Sequence, residues 1–305
     1  MINLTVSAAL DQFLSDPRRK LITRKKYLYK LRPFLDQYGA CQLTSITADH
    51  ILQWFHRMEA SGSAEATLAM IRSCLVAFLN HCVAAGWLES NPAKVLPRYD
   101  GRPKRVITAD PDHVAQALTI CGFLAKSRDA TNRRDAAVFA LAAISGGRRS
   151  NIMMMPHRET LSALAYPETD AAVGNIYAVA TKGKTPIEIV FGEWHANILR
   201  AWLEVRPESE HNRLFVHLRP VSLGRPLEAN GLGRARKSIC KIAGVPTITF
   251  QQLRKLKGTQ IARRYGLELA ASALGHISGT RVIREHYYDP DKHAAHVAIL
   301  ETGKS

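Results

Sequence analysis

Four short segments beyond residue 144 of this 305-residue chain carry side chains able to hold an anion or move charge on it. Arg148 and Arg149 follow the glycine pair of SGGRRSNIM, at the start of an expected helix whose unpaired N–H groups favour an anion. Lys182 and Lys184 flank Gly183 in TKGKT, which reads as the turn of a β-hairpin. Arg254 lies in the expected helix QQLRKLKGTQIARR, and ALGHISGTRVIREHYYDP then supplies His276, His286 and the adjacent Tyr287 and Tyr288. Singly, each has a plain structural explanation: a surface arginine, a solubilising lysine, a basic helix face, aromatic packing. The net charge bears on all of them. With 42 Lys+Arg against 26 Asp+Glu, the formal charge of +16 favours a polyanionic partner, because each phosphate neutralised releases condensed counterions. Both halves of the chain share the excess; nucleic acid is the leading candidate, while charge alone leaves DNA, RNA and an anionic membrane surface open.

The elements that must position these side chains are legible from apolar spacing. Residues 1–92 read as a helical bundle. Val6, Ala9, Leu10, Phe13 and Leu14 recur at helical spacing, and a second stripe from Thr23 (Tyr27, Leu28, Leu31, Phe34, Leu35) has Arg24, Lys25, Lys26 and Lys30 as its basic companion face. A third helix starts at the N-cap Thr47 and ends at Ser61-Gly62-Ser63, and a fourth spans Ala64 to Ala85. Residues 93–108, rich in proline and basic side chains, read as an interdomain tether that can follow a phosphate backbone. Residues 109–305 form the second domain. Helical pattern over Pro111–Leu124 and Asn132–Ile144 meets a turn at Ser145-Gly146-Gly147, strand-like segments Asn175–Ala180 and Pro186–Phe191 flank TKGKT, and further helices span Trp194–Val205, Asn230–Ala243 and Thr249–Tyr265. An all-α domain followed by a mainly helical α+β domain with a small antiparallel sheet is the expected fold class. The Met153-Met154-Met155 run reads as core filling. The five cysteines lack a CxxC pair, so neither a zinc site nor a disulfide framework is expected. The longest apolar stretch, Ala136–Ile144, is too short to span a bilayer, so the expected setting is soluble and cytoplasmic.

The order and spacing of the four segments resemble the tyrosine recombinase, or phage integrase, family across roughly residues 5–292. SGGRRSNIM resembles the family's Thr-Gly-Leu-Arg-x-x-Glu-hydrophobic box, with the first catalytic arginine at Arg148. TKGKT resembles the hairpin bearing the catalytic lysine, at Lys182. QQLRKLKGTQIA resembles the His-x-Leu-Arg-His-x-Phe-Ala box, with the second arginine at Arg254, and LGHISGTRVIREHYY resembles the Leu-Gly-His box at His276 followed by the nucleophilic tyrosine. The family pattern favours Tyr287 over Tyr288 as that nucleophile. TRKKYLYKLRPFLDQYG and LNHCVAAGWLESNPA are similar to the family's SAM-like core-binding domain. Three departures stand out: Gln251 where the family has histidine or lysine, Asn151 where it has an acidic residue, and a slightly long interval from His276 to Tyr287. Gln251 can still hydrogen-bond a phosphate but carries no proton or charge, leaving compensation to a neighbour such as Lys255.

The resemblance implies site-specific recombination of integration or excision type, in which two guanidiniums hold the charge of a pentavalent phosphoryl transition state. Lys182 would protonate the leaving 5′-oxygen, His276 would assist, and Tyr287 would form a 3′-phosphotyrosyl bond whose retained energy permits religation without ATP, metal or any other cofactor. It further implies double-stranded DNA as partner, a homotetramer on paired sites and a mobile-element setting. The alternatives are a type IB topoisomerase-like relaxing enzyme, and a catalytically weakened relative that only binds DNA. The segment 289–305, with Val297, Ala298, Ile299 and Leu300 at helical spacing, is expected to dock on a neighbouring subunit or on its own domain.

Overall fold

The computed structural model describes residues 4–99, 107–182, 186–275 and 280. It divides into two compact units, Met1–Lys104 and Arg105–Ser305, each with its own apolar core.

In the first unit α1 (Val6–Ser15), α2 (Leu21–Tyr38), α3 (Ala48–Ala60) and α4 (Glu65–Ala84) bury the predicted stripes around Phe13, Phe34, Trp54, Phe55 and Phe78. Thr5 caps α1 by accepting the Ala8 N–H at 3.2 Å, and Thr47 caps α3 with a reciprocal bond from His50. The second helix starts two residues earlier than Thr23. The loop before it is fastened by Asp16, whose carboxylate pairs with Arg18 and Arg19, and the Arg24 guanidinium donates back to the Arg19 and Asp16 carbonyls at 2.9 and 3.0 Å. Arg24 is thereby withdrawn from the basic face predicted for it; Lys25, Lys26 and Arg32 remain exposed. By length and composition α4 is apolar enough to cross a membrane, yet Leu68, Ile71, Leu75, Phe78 and Leu79 point into the bundle core. Residues 91–99, expected largely as tether, belong to the bundle. Asn91 is buried and bonds Val76 and Asn80, a 3-10 turn at Pro92–Val95 follows, and Ala93 and Leu96 join the core, while Tyr99 packs on Phe55 and hydrogen-bonds Glu59. Proline richness concealed these few apolar anchors.

The second unit is built around α6 (Ala130–Ser145), in which Asp135 through Ala143 are buried without a break. Its alanines allow close approach by α5 (Pro111–Leu124), α9 (Glu193–Leu203), α10 (Ala229–Ile242) and α11 (Phe250–Tyr265). Between α6 and α9 lie α7 (Arg149–Met153), α8 (His157–Ala165) and an antiparallel sheet, β1 (Glu168–Asp170), β2 (Gly174–Ala180) and β3 (Glu188–Phe191), in the order β1-β2-β3. The register pairs Tyr177 with Phe191 and Val179 with Ile189, and all four are buried. β1 is exposed at every residue and so left no alternating pattern to read. A short α12 (Leu267–Ala273) packs against α11. This all-α unit followed by a mainly helical unit with one small sheet is the fold class expected from the sequence. Of the methionine run, Met155 is fully buried and Met153 packs at the core edge.

Candidate active site

The segment carrying Arg148 is shaped by two glycines. Gly146 ends α6 at φ +55°, a left-handed conformation that favours glycine, and a Cβ there would come within 2.9 Å of the Lys257 Cβ and 3.0 Å of Leu274. The chain therefore turns tightly and passes directly into α7. Arg148 is the N-cap residue of α7, half-buried, and its Nη1 is sealed from solvent without a hydrogen-bond partner. Its backbone N–H donates to Asn151 Oδ1 at 3.1 Å.

Asn151, one of the three departures from the family pattern, has a definite task. It is 3% exposed, and its Nδ2 donates to Thr181 Oγ1 at 3.2 Å. Thr181 is buried at the neck of the β2–β3 hairpin, where its Oγ1 donates to the Ile187 carbonyl at 3.1 Å and accepts the Ile187 N–H at 3.3 Å. The directions are consistent along the whole relay: the amide donates to the hydroxyl oxygen, leaving the hydroxyl hydrogen for the carbonyl. The turn bearing Arg148 is thus hydrogen-bonded, through one side chain, to the hairpin bearing Lys182. Sequence reasoning singled out Asn151 as a departure but missed Thr181, whose only signal was its place immediately before the lysine.

Lys182 is exposed, and its Nζ forms an ion pair with Glu159 Oε1 of α8 at 3.2 Å. Glu159 also accepts from Asn212 at 2.8 Å, and that bond, with the lysine behind it, holds its carboxyl below the usual range. A carboxylate is therefore paired with the lysine, a partner the sequence did not suggest.

Arg254, on α11, is fully buried, and α11 is held at its start by Thr249 with a reciprocal bond from Gln252. The two terminal nitrogens of Arg254 reach opposite ways: Nη1 donates to the Gly146 carbonyl at 2.9 Å and Nη2 to the Leu274 carbonyl at 2.8 Å. One guanidinium thereby ties the turn before Arg148 to the end of α12, two residues before His276. Gln251 is exposed at the start of the same helix, and Lys255, one turn further on, is buried. Lys184, His276, His286, Tyr287, Tyr288 and the segment 289–305 lie outside the described residues.

The surroundings are cationic. On α10, Arg234, Lys237 and Lys241 are exposed at spacings of three and four, on one face of the helix. Arg263 and Arg264 occupy the last turn of α11. No cluster of metal-ligating side chains occurs among the described residues.

The family profile described as the phage integrase family matches residues 112–293. The chain belongs to the phage integrase family, the tyrosine recombinases, as its two-unit fold and ordered Arg148, Lys182 and Arg254 segments had indicated. Among its relatives is the tyrosine recombinase XerC of Mycobacterium sp. (strain JLS), 27% identical over 280 residues, with 89% of this chain and 90% of that protein covered. The fold is similar to that of lambda integrase in a tetramer bound to a Holliday junction, with TM-score 0.68, 18% identity, and coverage of 94% of this chain and 78% of that one. It is also similar to the Tn1549 transposon integrase in complex with circular intermediate DNA, with TM-score 0.64, 17% identity, and coverage of 97% and 99%.

Proposed function

We propose that this protein is an active site-specific recombinase of integration or excision type, which cleaves double-stranded DNA through a 3′-phosphotyrosine and religates it without ATP or metal. The observation that carries the reading is the Arg254 guanidinium, which joins the turn before Arg148 to the segment leading into His276. Three of the family's separate motifs are thereby linked by one side chain. Arg148 brings an unpartnered, sealed Nη1 to this place, a donor suited to a phosphate oxygen. Lys182, released from Glu159 by the competing phosphate, protonates the 5′-oxygen, while Gln251 contributes a hydrogen bond and His276 assists proton movement. Tyr287 is the nucleophile.

The helical bundle, including the residues 93–99 packed on it, acts as the core-binding domain and residues 109–305 as the catalytic domain. The exposed basic faces of α2 and α10 supply counterion-releasing contacts to the duplex. Relatives crystallised with DNA, one as a tetramer on a Holliday junction, support assembly of four subunits on two paired sites. The test is covalent trapping on a nicked suicide duplex. Tyr287→Phe should abolish the protein–DNA adduct and leave non-covalent binding within about twofold. An adduct that survives in Tyr287→Phe and disappears in Tyr288→Phe would overturn the assignment of the nucleophile. Wild-type binding without any adduct would favour a DNA-binding relative that has lost cleavage.

A further inference from the structure

Arg236 is the most unusual cation of the second unit outside the site just described. It lies on α10, is only 7% exposed, and sends Nη1 to the Ile248 carbonyl, one residue before the cap of α11. Its guanidinium stands 5.7 Å from the ring of Phe250, the first residue of that helix. Nε is buried without a partner, while Nη2, also unbonded, is not sealed from solvent. Among the described residues it has no ion pair, and no carboxylate bears on it. α10 packs on α7, whose exposed Arg149 bears on Arg236 as a like charge.

This arrangement is costly in isolation. A guanidinium stays protonated under all ordinary conditions, so burial cannot be relieved by losing the proton. A buried cation without a counter-charge is destabilising, and a second arginine beside it adds repulsion. Holding the Ile248 carbonyl does not require a charge, since a neutral amide donor serves that end. An anion between the two arginines would resolve both penalties, and a phosphate suits a guanidinium fork whose inner nitrogen is already anchored and whose outer one is open.

We propose that Arg236 and Arg149 together bind one backbone phosphate of the DNA duplex, distinct from the scissile phosphate at Arg148. The inference rests on the proposed action on DNA. Arg236 fixes where that phosphate sits because its inner nitrogen is tied to the start of α11, the helix that carries Gln251 and Arg254. Through Arg236 the pair sets a positive charge against the start of α11.

The experiment is anisotropy titration of the full chain on a random-sequence 30-base-pair duplex over a series of KCl concentrations. For every phosphate the protein no longer neutralises, the slope of log K against log salt falls by about 0.9. Arg149→Gln, at an exposed position, should lower it by up to ~0.9, and Arg236→Met likewise. The double substitution should lower it by no more than ~0.9 in total, because the same phosphate is released each time. An unchanged slope in Arg149→Gln would overturn the site, as would an unchanged slope in Arg236→Met with a reduced melting temperature, which would make Arg236 a structural strut. A fall of about 1.8 in the double variant would mean two separate phosphates and would overturn the shared one. Wild-type protein that fails to bind the duplex at any salt would instead refute the DNA reading itself.

Discussion

The relay from Arg148 through Asn151 and Thr181 to the hairpin neck can be tested as a mechanical link. Asn151→Ala removes the acceptor of the Arg148 N–H and the donor to Thr181. A buried polar group left unpaired costs ~1–3 kcal/mol, so a loss of about 2 kcal/mol is expected. For a unit of this size that corresponds to a fall of ~4–8 °C in melting temperature. Thr181→Val keeps the shape but takes the hydroxyl acceptor from the Asn151 amide and removes the side-chain bonds to Ile187, whose carbonyl still accepts the backbone N–H of residue 181 at 2.9 Å. About 1–2 kcal/mol should follow. Because both changes cut one chain of bonds, the double variant should be more stable than the sum of the singles predicts, by ~0.5–3 kcal/mol. Cleavage of the suicide duplex should behave the same way: each single variant slows the chemical step, and the double is little slower than the worse of them. Equilibrium unfolding and single-turnover cleavage of all four proteins give both readouts. Additivity within ~0.5 kcal/mol in both would show that the two side chains act independently and would refute the link.

Three further outcomes follow from other features. Glu159→Gln removes the carboxylate that occupies Lys182; an exposed pair of this kind is worth ~0–1 kcal/mol, so cleavage at low salt should rise by up to about fivefold, and a fall would mean that Glu159 positions the lysine instead. His195 is held down to about 4 from 6.5 by burial and by Lys257. The unfolded chain therefore takes up a proton that the folded one resists, and stability is full above pH 6.5 and is lost as pH falls toward 4. His195→Gln should flatten the melting temperature against pH across that window, and parallel wild-type and variant curves would contradict it. Truncation before Asp291 should preserve binding to a single site and lose the four-subunit complex on two sites, as read by native mass spectrometry; an intact tetramer would confine the tail to packing within its own subunit.

What the sequence disclosed, it disclosed through periodicity and through ordered motifs. Apolar stripes at helical spacing located the main helices of both units because burial in a bundle demands that spacing, and the capping Thr47 marked where α3 begins. β1 and the packed residues 91–99 escaped because neither presents a periodic face: one is wholly exposed, the other is anchored by isolated side chains among prolines. The positions of Arg148, Lys182 and Arg254 in their elements were legible from local pattern. Their partners were not. Glu159 and the Gly146 and Leu274 carbonyls reach Lys182 and Arg254 across 20 or more residues of chain, and two of these three partners are backbone atoms, which leave no trace in side-chain pattern.

The double hold of Arg254 bears on how members of such a family decay. A residue needed only for chemistry drifts once the chemistry is no longer selected. Arg254 fastens two backbone segments from within the core, so a copy that had ceased to cut DNA would still keep it in order to fold. Lysine at this position would retain the charge and give up the two-way span, and so would be removed even from an inactive lineage. Exposed Lys182, joined only to Glu159 by a surface ion pair, carries no comparable burden. In a collection of related chromosomal copies, loss of the hairpin lysine would thus distinguish silent elements from working ones, while retention of the core arginine would not.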